Sequence, residues 1–209
     1  MAATGSHDHT GGAESALQRL YETGEWSDLT IEAGGKLFKV HKNVVGPANA
    51  YFKSACTRGF SESLADHIKL PESEKTIDAI LRRFYQVPTP WCEVTGLEAA
   101  DGDCTSKDVA LNLIELRIAI DKYGIDSMVS AVEHVFGHIV QEDLEEEITS
   151  KIEVGCFLFD QDGDCLENMR DAVLESTPSF AADVFQDLDM FDMICKNMEF
   201  MRQVALTNM

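Results

Sequence analysis

His134 and His138 stand four residues apart in HVFGH, one helical turn, a spacing at which both rings could meet a single divalent cation. The stretch lacks the glutamate of an HExxH pair and has no third ligand nearby, so it reads as helix surface. The run DQDGDCLENMRD, from Asp160 to Asp171, sets carboxylates at the first, third, fifth and twelfth places of a loop, as a calcium loop does. Its Gly163 falls at the fourth place, Cys165 occupies the sixth where the sharp turn belongs, and Asp171 stands where a bidentate Glu is needed. The run therefore reads as a polar turn between helices, and the expectation is no bound metal. The cysteines Cys56, Cys92, Cys104, Cys156, Cys165 and Cys195 form no CxxC pair and read as thiols serving as small hydrophobes. The chain shows no Gly-rich phosphate loop after a strand, no GxSxG elbow and no recognisable nucleophile and base set. The expectation is a protein that is not an enzyme and carries no cofactor.

What remains is the chemistry of recognition. GFSES, residues 59–63, places Phe60 in a Gly- and Ser-rich turn with Glu62 two residues on. Either Phe60 folds back into the core, or it is offered to a partner with the carboxylate beside it. The 17 basic against 37 acidic residues give a net charge of -20, which repels phosphate backbones and anionic lipid. Nucleic acid and membrane surfaces are therefore poor partners. Apolar runs such as VGCFLF are far too short to span a bilayer. The start MAATGSHDHTGGA lacks the charged-then-apolar order of a secretory signal. With unpaired thiols, this points to the cytoplasm or the nucleus.

Residues 1–13 have nothing to bury and are expected to be disordered. Leu17, Leu20 and Tyr21 then follow helical spacing up to Gly24. SDLTIEA turns Leu29, Ile31 and Ala33 to one face, Gly34-Gly35 supplies a tight turn, and KLFKV returns with Phe38 and Val40 inward. The pattern over Lys42–Cys56 is helical but interrupted at Gly46-Pro47, which predicts two short helices. A brief strand at His67–Leu70 precedes a helix over Thr76–Val87 capped from Ser73. The residues from Pro88 to Ser106 read as a loop. Val109, Leu113, Leu116, Ile120 and Tyr123 mark one helix, and Ile125, Met128, Val132, Phe136 and Ile139 mark another. Residues 141–167 hold ten acidic groups against Lys151 alone. Three further helical patterns follow, through Leu144, Ile148 and Ile152, then Leu166, Met169 and Val173, then Phe180, Val184, Leu188, Phe191 and Met198. None can bury its stripe alone, so these helices must dock on the core or on each other.

The ordered series SDLTI, the GG hairpin, FKVHKNVV, AYFKSAC, GFSES, HIKLPES, AILRRFYQ and AIDKYGI resembles the BTB/POZ domain, particularly its fungal members. The resemblance covers about Leu17–Val140 and extends weakly into LENMRDAVLESTP and NMEFMRQVAL. The loop QVPTPWCEVTGLEAADGDCTS departs from the short connection usual in the family. The implied architecture is α+β: a BTB/POZ fold over residues 14–140, a small sheet with surrounding helices, followed by an acidic helical extension over 141–209. The implied function is a protein-protein interaction module, commonly a homodimer with no catalytic centre. By resemblance the first helix, through Leu17, Leu20 and Tyr21, supplies the dimer contact. Asp28 and Lys42 match the paired charges near the family's dimer pocket, and they also fit an ordinary strand-end salt bridge. Phe60-Ser61-Glu62 matches the hydrophobic, any residue, Glu pattern of cullin-binding members. The resemblance thus implies an adaptor linking an unknown client to a cullin ubiquitin ligase. The alternatives are a non-ubiquitin oligomerising scaffold or transcription-associated regulator and, more remotely, a metal-binding protein.

Overall fold

Alternation of apolar and polar residues builds the sheet. The computed structural model describes residues 16–57, 66–89, 105–144, 147–177, 184 and 186–207. Helix α1, Ala16–Thr23, leads into β1, Leu29–Ala33, and β2, Lys36–Val40. Leu29, Ile31 and Ala33 of β1 and Phe38 and Val40 of β2 are buried, while the residues between them face outward. The two strands pair antiparallel with Ile31 opposite Phe38 and Ala33 opposite Lys36. Gly34 and Gly35 carry φ of +56° and +86°, as a two-residue hairpin turn requires. A Cβ on Gly34 would also lie 2.6 Å from the backbone nitrogen of Glu74, so this turn abuts the helix that follows the sheet. Strand β3, His67–Lys69, lies parallel to β1 on its other side, giving the order β2-β1-β3.

Two short helices connect β2 to the segment before β3: α2, Lys42–Ala48, and α3, Ala50–Thr57. The pair was expected, but the break falls at Asn49 and not at Gly46-Pro47. Pro47 crowds the Cβ of the residue before it, and Gly46 has none, so the helix runs on through the pair. At Asn49 the backbone is extended, its Oδ1 accepts from the Tyr51 N–H at 2.8 Å, and its Nδ2 donates to the Tyr123 carbonyl at 3.0 Å. One side chain thus starts α3 and ties it to a distant helix.

Helix α4, Glu74–Phe84, is capped by Ser73 as expected, its hydroxyl accepting from the Thr76 N–H. Helix α5, Ser106–Tyr123, opens on a capping box between Thr105 and Asp108 and ends at Gly124 in the left-handed region. A 3-10 turn, Asp126–Met128, leads into α6, Val129–His138, which continues as a π-helical turn over Ile139–Asp143. Phe52, fully buried, packs edge-on to Phe84 and tilted against Tyr123, joining α3, α4 and α5.

The acidic region then folds back. Helix α7, Ile148–Phe159, packs on α5, and α8, Glu167–Ser176, packs on α6 and α7. The last apolar pattern forms two helices, α9, Leu188–Ile194, and α10, Met198–Thr207. Leu188 and Met198 are 80% and 67% exposed, contrary to the expected inward stripe, and Ile194, Phe200 and Val204 face in instead. The turn at 195–197 resets the helical phase between the two. Arg117 of α5 is buried and donates to Glu133 of α6 at 2.9 Å, while Asn168 of α8 donates to the other oxygen of Glu133. The core is one continuous cluster from Leu29 to Val204.

Candidate interaction surface

Helix α1 has the spacing of a half-buried helix, yet none of its residues is buried. Leu17 and Leu20 remain part-exposed. Tyr21 anchors the helix: its hydroxyl donates to Asp78 Oδ1 at 2.6 Å, its ring sits 5.3 Å from that of Tyr85, and the Arg82 guanidinium lies over it. Burial, reinforced by the hydrogen bond to Asp78 and its charge, raises the Tyr21 hydroxyl far above its ordinary value. Asp78 is held in turn by Arg82 one helical turn on, so α1 rests on α4 through a charged relay.

Below this contact lies His41, 5% exposed. Its backbone N–H donates to the Tyr85 hydroxyl at 2.8 Å, which leaves that hydroxyl's own proton free for His41 Nδ1, also at 2.8 Å. Nε2 lies 2.7 Å from the Glu25 carbonyl, which can only accept, so Nε2 carries a proton and donates it there. Burial pushes the Tyr85 hydroxyl up to about 12, which keeps it protonated for this role. The arrangement fixes the turn between α1 and β1 to the floor of the sheet.

Asp28 and Lys42 come together differently from the expected ion pair. Asp28 Oδ1 accepts the backbone N–H of Lys42 at 2.8 Å, while the Lys42 ammonium pairs with Asp66. The reason is that Lys42 opens α2: its N–H is one of the orphan donors of a helix start, and a carboxylate there is favoured by both hydrogen bond and dipole. Asp28 is exposed and Lys42 part-exposed, so the half-buried pair is replaced by a cap and a surface bridge. The Asp66 bond raises the Lys42 ammonium above its ordinary value. Phe60 and Glu62 lie outside the described residues, as do Cys92 and Cys104. Their segment returns at Asp66, a residue at φ +49° that the Lys42 ammonium contacts.

One residue of this region escaped the sequence reading. Trp26, in the turn held by His41, is 85% exposed and has φ +61°. The signal available was a Trp between Gly24 and Ser27-Asp28, in a stretch that predicts a turn.

The other candidates are arranged for structure. His134 is exposed and His138 half-buried, and among the described residues no group of three His, Cys, Asp or Glu could hold a metal. In the Asp160–Asp171 run, Arg170 donates to the Gln161 and Gly163 carbonyls at 2.6 and 3.1 Å and so ties the turn to the start of α8. A groove lined by Val87, Pro88, Met128 and Val132 together with Arg83, Gln86, Thr89 and Ser127 shows no carboxylate, His or Cys among the described residues. No described helix is long and apolar enough to cross a membrane.

Comparison with known proteins agrees with this arrangement. Kelch repeat and BTB domain-containing protein 8 of Homo sapiens is 31% identical over 71 residues, which are 33% of this chain and 12% of that protein. Its Mus musculus counterpart matches equally, and that of Rattus norvegicus is 33% identical over 55 residues, 26% of this chain and 10% of the relative. The chain therefore covers about a tenth of the length of these relatives. The family model of the BTB/POZ domain matches residues 17–139, more than half of the chain. With its small mixed sheet, its surrounding helices and an exposed first helix, the chain belongs to the BTB/POZ domain family and is a protein-protein interaction module.

Proposed function

We propose that the chain is a homodimerising adaptor that self-associates through α1 and presents Phe60 and Glu62 to a cullin, holding a client protein on another part of its surface. The observation that carries this reading is α1 itself, whose Leu17 and Leu20 are part-exposed while none of its residues is buried. A helix of eight residues is marginal in isolation, and a second copy packed on its apolar stripe would cover what the single chain leaves open. By resemblance Asp28 and Lys42 belong to the same interface. Residues 14–140 form the interaction unit in this reading, and 141–209 an extension packed on it. The free thiols of Cys56, Cys156, Cys165 and Cys195 support a reducing setting, the cytoplasm or nucleus.

Light scattering on the purified chain tests self-association. The expected result is twice the 23.2 kDa chain mass at tens of micromolar, with Leu20→Asp returning the single mass. A strict monomer, or a dimer untouched by Leu20→Asp, refutes it. Binding of a purified cullin N-terminal domain tests the adaptor role. Phe60→Ala and Glu62→Lys should remove binding with the melting temperature unchanged. A Phe60→Ala melt several degrees lower identifies Phe60 as core. No binding of the unmutated chain at micromolar concentrations leaves an oligomerising scaffold.

A further inference from the structure

Trp26 occupies the left-handed region of backbone space, where a bulky side chain is disfavoured, and its ring is 85% exposed. Folding gains nothing from either property. A turn of this shape is satisfied better by Gly, and an exposed indole leaves its largest apolar surface in water. The surroundings nonetheless over-determine the turn. Gly24, at φ +63°, donates its N–H to the Leu20 carbonyl at 3.0 Å, and a Cβ on Gly24 would meet Lys39 Cβ at 2.8 Å. The Glu25 N–H donates to Thr23 Oγ1, and the Glu25 carbonyl accepts from buried His41. Ser27 N–H returns to the Gly24 carbonyl, and Asp28 N–H to that of Val40. Both flanks of Trp26 are thus fastened, and the indole is projected from a stiff base. Strain kept where the surroundings enforce it marks a functional position.

The geometry points to Trp26 as the anchor of an interface with a second copy of this chain. The partner follows from continuity: the turn begins at the last carbonyls of α1, so Trp26 stands just past the end of the helix that bears part-exposed Leu17 and Leu20. Trp is the residue type most enriched among interface positions that dominate affinity, and a rigid base removes much of the ordering cost of presenting it. This inference rests on the self-association reading above and names the residue that carries most of its affinity.

The chain has two tryptophans, so Trp91→Phe leaves Trp26 as sole reporter. In that background, emission should shift to the blue and acrylamide quenching should fall as concentration rises through the association midpoint. Trp26→Gly should raise that midpoint by at least about tenfold. Because Gly is at home at positive φ, the same variant, melted below the midpoint, should be as stable as the parent or more so. A substitution that leaves or improves the fold while removing association is the signature of an anchor. If Trp26→Gly lowers the melting temperature, Trp26→Asn, which also tolerates this backbone, provides the midpoint measurement. A dimer that Leu20→Asp disrupts but whose midpoint Trp26→Gly or Trp26→Asn moves less than twofold overturns the inference and leaves the self-association reading standing. A chain that stays monomeric throughout overturns both.

Discussion

Gly155 in the middle of α7 lies against Phe200 of α10, and adding one methyl there probes how the C-terminal helices are held. An Ala Cβ would come within 2.5 Å of Phe200 Cε1 and closer still to Cζ. The ring has little room to retreat, being fully buried and stacked on Phe159 with centroids 5.0 Å apart. Overpacking of this kind costs about 1–3 kcal/mol, offset by about 1 kcal/mol of helix propensity gained on replacing Gly. A net loss of up to about 2 kcal/mol lowers the melting temperature of a chain this size by up to roughly 8 °C. Phe200→Ala alone should cost about 3–5 kcal/mol through the cavity it opens. With that ring gone, Gly155→Ala meets empty space and keeps its propensity gain, so its sign reverses to a stabilisation of up to about 1 kcal/mol. Urea unfolding of the four proteins in the cycle measures the coupling directly. Gly155→Ala equally destabilising with and without Phe200 would refute the contact, and with it the docking of α10 on α7.

Removing the α4 cap with Ser73→Ala should cost about 1 kcal/mol, seen as a melt roughly 2–4 °C lower, and Ser73→Thr should retain most of it. Burial pushes the Glu72 carboxyl up, but the bonds it accepts from Lys122 and Tyr123 outweigh this and hold it below its ordinary 4.5. A depressed folded value means that the unfolded chain binds the proton first, so this group's stabilisation is complete above the ordinary value and is lost as pH falls through the folded one. Glu72→Gln should therefore flatten the acid limb of stability measured by urea titration, and an unchanged limb would count against the assignment. Millimolar calcium should leave the melting temperature unmoved, because Cys165 stands where the turn Gly belongs and Asp171 where a bidentate Glu is needed; a calcium-dependent rise would show that the run binds the ion.

The sheet was legible because its signals are local: Leu29, Ile31 and Ala33 alternate with polar residues, and Gly34-Gly35 fits a tight hairpin turn. Ser73 and Gly124 likewise announce helix ends through their own chemistry. What sequence did not disclose depends on residues far along the chain. Asn49 ends α2 because Tyr123, 74 positions on, accepts its amide. Lys42 turns from Asp28 to Asp66 because the α2 backbone claims the nearer carboxylate. The exposure of Leu188 and Met198 follows from a turn that shifts the phase of the last two helices, which a single apolar period cannot register. Of the interaction surface, Leu17, Leu20 and Tyr21 were visible as a stripe. Trp26 was not, since no periodic pattern reports that a turn residue adopts positive φ or that its ring is left in water.

The light attachment of α1 has a kinetic consequence. With no buried side chain of its own and a long-range bond that runs from Tyr21 to Asp78, α1 sits at the low end of the molecule's local opening energies. In the separated chain its amides should exchange with deuterium almost as fast as a fraying terminus, while those of β1 behind it stay protected for far longer. Under the proposed self-association, a copy that must close this helix first would bind in proportion to the fraction already closed, so the bond from Tyr21 to Asp78 would tune the strength of pairing.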